Sequence, residues 1–185
     1  RITSVVADLH FAPTSLSRDN LLQEGIPDWR IKVTGNTVID ALQTIGRSEV
    51  PIRVARWLEE WGIGTTGRKL VLVTAHRREN FGAPIKQICG AIKELTAYFG
   101  EDVHFVYPVH LNPNIQAPVF EVLGNLPRVS LVQPLDYISL VHLLKNSFFV
   151  MTDSGGIQEE AAGLGKPALV LRDVTDRPEG VEAGV

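Results

Sequence analysis

The strand-like runs of this chain are continuously apolar instead of alternating, and helical patterns separate them. That combination restricts the fold to a parallel sheet covered on both faces. The runs are Val5–Ala7, Arg30–Val33, Leu70–Thr74, Val103–Tyr107, Val129–Val132, Phe148–Met151 and Ala168–Leu171. Between the later ones, apolar residues recur with a 3.6-residue period. Ile85, Ile88, Ile92, Leu95 and Phe99 form one stripe, with Pro84 near its start. Val54, Trp57, Leu58 and Trp61 form another, which places the tryptophans in a core. Asp136 is an N-cap for the helix carrying Ile138, Val141 and Leu144. Strands alternating with helices of this length make βαβ units with right-handed crossovers. The predicted fold is therefore α/β, a Rossmann-like doubly wound parallel sheet.

Composition removes several function classes. With 185 residues, 44% hydrophobic and 21% charged, the chain matches one globular domain, or one and a fragment, and excludes disorder, collagen and coiled coil. A net charge of −3 argues against a general nucleic-acid binder. The longest apolar stretches, about five to seven residues, are too short to span a bilayer. The single cysteine, Cys89, allows neither an internal disulfide nor a Cys-based zinc site, which fits a reducing, cytoplasmic compartment. The opening Arg-Ile-Thr-Ser-Val-Val-Ala-Asp has no secretory pattern and no initiator methionine, so the chain reads as cut from something longer.

In an open α/β sheet, ligands bind beyond the carboxyl ends of the strands. Four polar clusters follow predicted strands here: Ala75-His-Arg-Arg-Glu-Asn80, Pro108-Val-His-Leu-Asn-Pro113, Thr152-Asp-Ser-Gly-Gly156 and Arg172-Asp-Val-Thr-Asp-Arg-Pro-Glu179. All four fall on one edge of the sheet. Ser154, Gly155 and Gly156 precede a helix expected over Ile157–Leu164 and closed by Gly165. Free amides and the helix dipole there suit a phosphate, although an ordinary N-cap and tight turn read the same way. Glu160 either accepts from a ribose diol or is solvated. His76, Arg77 and Arg78 concentrate positive charge in an acidic chain, which suits an anion, the alternative being a solvated loop. His110 lies in a Pro-rich loop, where it contacts a ligand or is structural. Arg177 is a candidate phosphate contact, whereas Arg172, Asp173, Asp176 and Glu179 read as rim charges or mutual salt bridges. His10, His104 and His142 read as structural. No set of residues has metal-ligand spacing, and neither Gly-x-Gly-x-x-Gly after a strand nor Walker A is present.

Val73-Thr-Ala-His-Arg-Arg-Glu-Asn-Phe-Gly82, Tyr107-Pro-Val-His-Leu-Asn-Pro113, Thr152-Asp-Ser-Gly-Gly-Ile-Gln-Glu-Glu-Ala161 and Arg172–Glu179 resemble the bacterial non-hydrolysing UDP-N-acetylglucosamine 2-epimerases. So do Ala7-Asp-Leu-His-Phe-Ala-Pro-Thr14 and Val33-Thr-Gly-Asn-Thr-Val-Ile-Asp40. The resemblance implies the second domain of a two-domain glycosyltransferase-B architecture. Residues 1–34 would be the last β-α-β piece of the first domain, and 35–185 the UDP-binding domain, with its end also missing. It implies reversible epimerisation at C2 of UDP-N-acetylglucosamine to UDP-N-acetylmannosamine, by elimination and re-addition of UDP, as a step toward surface polysaccharides. His76 becomes the catalytic candidate; His110, Ser154, Gly155, Gly156, Glu160 and Arg177 become contacts to UDP or the UDP-sugar. Arg77 becomes a candidate for a second, regulatory UDP-N-acetylglucosamine. A homodimer is implied, and no cofactor or metal. The carboxylates that move the C2 proton belong to the family's first domain, so the 185-residue chain alone is expected to be inactive and to bind UDP weakly at best. The alternatives are a glycosyltransferase of the same architecture, a hydrolysing epimerase, and a catalytically silent UDP-sugar-binding module.

Overall fold

The computed structural model describes residues 2–184. The chain divides into two compact units, Arg1–Ala41 and Leu42–Val185. The first contains α1 (Ile2–Val6), β1 (His10–Ala12), α2 (Ser15–Gln23), β2 (Ile31–Val33) and the start of α3 (Thr37–Gly46). β1 and β2 are parallel, with His10 opposite Ile31 and Ala12 opposite Val33. Thr14 caps α2 by accepting the Ser17 amide at 3.1 Å.

The second unit continues with α4 (Ile52–Glu60), β3 (Lys69–Thr74), α5 (Ala83–Phe99), β4 (Val103–Pro108), α6 (Pro113–Leu123), β5 (Val129–Val132), α7 (Tyr137–Asn146), β6 (Ser147–Thr152), α8 (Gly155–Gly163), β7 (Ala168–Val170) and α9 (Pro178–Ala183). Its five strands are all parallel, in the order β5-β4-β3-β6-β7. This is the Rossmann order, with the chain moving outward one way from β3 and the other way from β6. Val71, Val73, Phe105 and Tyr107 pack with Ile85, Cys89 and Ile92 of α5 and Ile115, Val119 and Leu123 of α6. α7 covers the opposite face of β3 and β6, and α4 packs on α7. Apolar burial on both faces explains why these strands carry no alternation. Asp136 caps α7 as expected, accepting the Ser139 amide at 2.8 Å.

Several expectations need correction. Val5–Ala7 is not a strand. Ile2–Val6 is helical, the Ala7 amide donates to the Thr3 carbonyl at 3.0 Å, and Val5 and Val6 are exposed. The first strand instead begins at His10, where β2 supplies the pairing edge. Trp61 is a core residue, but Trp57 is only half-buried, with the Arg53 guanidinium 4.3 Å over its ring. The α5 stripe is buried at Ile85 and Ile92 but ends on a partly exposed Phe99. α8 also begins two residues earlier than expected, at Gly155, because the glycines belong to its first turn. Among the described residues, no helix is long and apolar enough to cross a membrane.

Candidate functional site

The sheet order places the carboxyl ends of β3 and β6 side by side, at the point where the chain's direction of winding reverses. Open α/β sheets leave a crevice there. Thr74 and Thr152 end the two strands in register, their hydroxyls 2.6 Å apart. One residue on, the Asp153 amide donates to the Thr74 carbonyl at 3.1 Å. The Asp153 side chain, fully buried, returns the connection. Its Oδ2 accepts the backbone amides of His76 and Arg77 and the Asn80 side-chain amide, each at 2.8 Å. Asn80 also donates to the Leu171 carbonyl at 3.2 Å, tying in the segment after β7. A buried carboxylate needs such donors, and here they fix the loop after β3 against the start of α8.

That loop holds His76 against His110. The two rings stack with 5.4 Å between centroids and 6° between planes. The Asn112 amide donates to His110 Nδ1 at 3.1 Å, and Asn112 itself caps α6. Burial holds the His76 pKa below its usual 6.5; the Asp153 carboxylate opposes that shift, while His110 and Arg77 add to it. His76 Nδ1 lies 3.9 Å from Asp153 Oδ1.

Ser154 is the N-cap residue of α8, yet its side chain makes no capping bond. The amides of that first turn are left for another acceptor. The Asp176 carboxylate is the neighbouring anion: a Cβ built on Gly155 would lie 2.7 Å from its Oδ1. Asp176 is held by Arg172 at 3.0 Å, by Arg177 at 3.6 Å and by Arg77 at 3.8 Å. Arg177 also pairs with Glu159. The sequence-predicted Arg77, Gly155 and Arg177 thus meet around one carboxylate, and Arg172 joins them as the expected salt bridge. Three guanidiniums beside a glycine-opened helix N-terminus are a setting for phosphate oxygens.

Glu160 is buried, not solvated. Tyr137 donates to its Oε1 at 3.3 Å, while Oε2 is buried with no hydrogen-bond partner, and burial raises the pKa of the carboxyl. A buried carboxylate with an open acceptor is suited to a hydroxyl donor from a ligand. His104 and His142 are structural: His104 stacks on Trp61 at 4.9 Å with Nε2 2.9 Å from Ser130 Oγ, and His142 is buried in α7. His10 is buried in β1. Sequence reasoning missed Asp153, Asn80, Tyr137 and the role of Asp176. Asp153 stood inside a singled-out string, but its partners lie more than seventy residues away.

A family model described as UDP-N-acetylglucosamine 2-epimerase matches residues 1–185. Over 99% of its length, the chain is 49% identical to the UDP-N-acetylglucosamine 2-epimerase of Salmonella typhimurium, covering 49% of that protein. It is 45% identical to the Escherichia coli K12 enzyme of the same name, again over 99% of this chain and 49% of that one. The Neisseria meningitidis UDP-GlcNAc 2-epimerase bound to UDP-GlcNAc matches with a TM-score of 0.87 and 44% identity, over 99% of this chain and 49% of the other. An S. aureus MnaA–UDP co-structure matches with a TM-score of 0.89 and 42% identity, over 98% and 48%. The chain therefore spans about half the length of the curated relatives it matches. A parallel sheet wound about this switch point, its polar clusters gathered on one edge and the match running end to end, place the chain in the UDP-N-acetylglucosamine 2-epimerase family.

Proposed function

We propose that residues 35–185 are the UDP-binding domain of a non-hydrolysing UDP-N-acetylglucosamine 2-epimerase, and that residues 1–34 close the domain before it. The observation that carries this reading is the convergence, at the β3/β6 switch point, of His76, His110, the Gly155–Gly156 helix start and Arg177. The diphosphate sits on the α8 amides, displacing Asp176 from Gly155 and taking its place among the guanidiniums of Arg77 and Arg177. Glu160 accepts a ribose hydroxyl through its open Oε2.

In the proposed reaction, a base removes the C2 proton of the sugar as the C1–O bond breaks. The electron pair forms a C1=C2 double bond and the bonding pair leaves with UDP. Reprotonation of C2 on the opposite face and re-formation of the C1–O bond give the N-acetylmannosamine product. The residues of this chain act on the departing diphosphate. Fixed donors and positive charge stabilise the negative charge that develops there and are already oriented when it forms. The elimination and re-addition draw on no cofactor. Carboxylates outside these 185 residues move the C2 proton, and the chain alone is inactive. A second UDP-N-acetylglucosamine at Arg77 and a homodimeric assembly belong to the same reading.

The test is UDP titration of the full-length protein by calorimetry, with Ser154→Ala and Arg177→Ala variants. Each is expected to weaken binding about tenfold, one charge-assisted hydrogen bond being worth roughly 1.5 kcal/mol. Wild-type affinity in both would remove the site from this edge of the sheet.

A further inference from the structure

The Asp153 carboxylate is fully buried and divides its two oxygens between different tasks. Oδ2 accepts three hydrogen bonds from the 76–80 loop. Oδ1 is buried with no hydrogen-bond partner, and His76 Nδ1 lies 3.9 Å from it. A buried anionic oxygen without a donor is rare in a folded protein and indicates an interaction completed in another state. A small turn of the His76 ring closes that gap. The ring has room to turn, since its side chain is 45% exposed and its other neighbour is the His110 face.

Resting on the proposed epimerase reading, we infer that Asp153 is the positioning residue of this site: on ligand binding, its Oδ1 accepts Nδ1–H of His76 and leaves Nε2–H as the donor to the departing diphosphate. The imidazolium held in this way carries the charge that meets the diphosphate. Nδ1 held by a carboxylate fixes both the ring orientation and which nitrogen faces the ligand. The other charged groups facing His76 work in the opposite direction. His110 and Arg77 both disfavour a second positive charge, and Arg77 is itself partly neutralised by Asp176 at 3.8 Å. Among the described residues, Asp153 is the one group facing the ring that favours the imidazolium. His76 and Asp153 are separated by an αβαβαβ stretch of chain, from α5 to β6, so the pairing exists only because β3 and β6 are adjacent.

The experiment is a double-mutant cycle in the full-length protein, using Asp153→Asn, His76→Gln and both together, read as epimerisation of UDP-N-acetylglucosamine against pH and as UDP affinity. Asparagine keeps the shape and an oxygen for the loop amides, but turns its NH2 toward Nδ1. D153N is expected to lower kcat about 10- to 100-fold, the range for outer partners of a functional histidine. The alkaline limb, on which the imidazolium loses its proton, moves to lower pH. The double variant is expected to be no worse than H76Q alone. Losses that multiply, or a lowered melting temperature with the alkaline limb unmoved, would overturn the assignment. If D153N does not fold, the imidazole 15N shifts of the wild-type protein with UDP bound replace it. A protonated Nδ1, assigned against H76Q, supports the inference, and an unprotonated one overturns it. If the wild-type protein fails to epimerise, the functional reading falls, and the UDP-affinity cycle still tests Asp153.

Discussion

The rings of His76 and His110 lie parallel at the ends of adjacent strands, 6° apart in plane and 5.4 Å between centroids. Stacking shields His76 from water, and the neighbouring imidazole also disfavours charge on it. Both effects keep its pKa below 6.5. His110→Ala removes the like charge and exposes the ring, and both changes have the same sign. The His76 pKa is therefore expected to rise in this variant, as followed by imidazole NMR shifts against pH. A fall would show that His110 supports the charge on His76 instead of opposing it.

The two glycines that open α8 separate folding from binding. At Gly156 a methyl group meets only Ser154 Oγ, at 3.9 Å. Gly156→Ala is expected to leave stability unchanged or raise it by up to about 1 kcal/mol. The same methyl lies against the proposed diphosphate, so the Kd for UDP rises about tenfold. Gly155→Ala instead collides with Asp176 Oδ1 and loosens its ion pairs. The pairs are partly exposed, so its stability change stays within about 1 kcal/mol of zero, with a similar loss of UDP affinity. Thermal melts and calorimetry on the full-length protein check both; unaltered UDP affinity in the two variants places the ligand elsewhere.

Glu160 is a buried acid whose folded pKa is raised by burial. A carboxyl raised above its unfolded value binds more protons when folded, so its ionisation costs stability as pH rises through the folded pKa. Glu160→Gln is expected to melt higher than wild type at pH 7, with the difference shrinking toward pH 4. It is also expected to lose affinity for UDP more than for 2′,3′-dideoxy-UDP. A variant that melts lower at pH 7 would contradict the open Oε2.

His104 supplies an acid-sensitive point remote from the site. Burial, aided by Arg68 and Arg128, lowers its pKa to about 4. Its neutral form is the folded form, so its contribution is complete above the unfolded value of 6.5 and is lost as pH falls through the window down to about 4. At about 1.4 kcal/mol per unit this is at most roughly 3 kcal/mol. Urea melts from pH 7.5 to 4 are expected to lose stability more steeply in the wild type than in His104→Gln. Equal slopes would place the acid sensitivity in other groups.

The sheet was legible because its central strands β3, β4 and β6 are buried over most of their length, so they stand out as mainly apolar runs. The edge carrying the candidate site was legible for a related reason. Polar residues such as His76, His110 and Ser154 follow those runs directly. Val5–Ala7 misled because an apolar run of three has no periodicity to separate a strand from a helix, and here no strand is paired with it. The partners of the site residues were not legible. Asp153 meets His76 and Asn80, Tyr137 meets Glu160, and Asp176 meets Arg77, each across a distance in sequence that only the sheet order closes. No local pattern distinguishes Asp153 as a hub from an ordinary residue ahead of a helix cap.

The most direct measurement is incubation of the full-length protein with UDP-N-acetylglucosamine alone in D2O, followed by proton NMR and mass spectrometry. UDP-N-acetylmannosamine with one solvent deuterium at C2 is expected, with conversion falling at least tenfold in His76→Gln. Free N-acetylmannosamine, or no conversion until a sugar acceptor is added, would contradict an elimination and re-addition of UDP at this site.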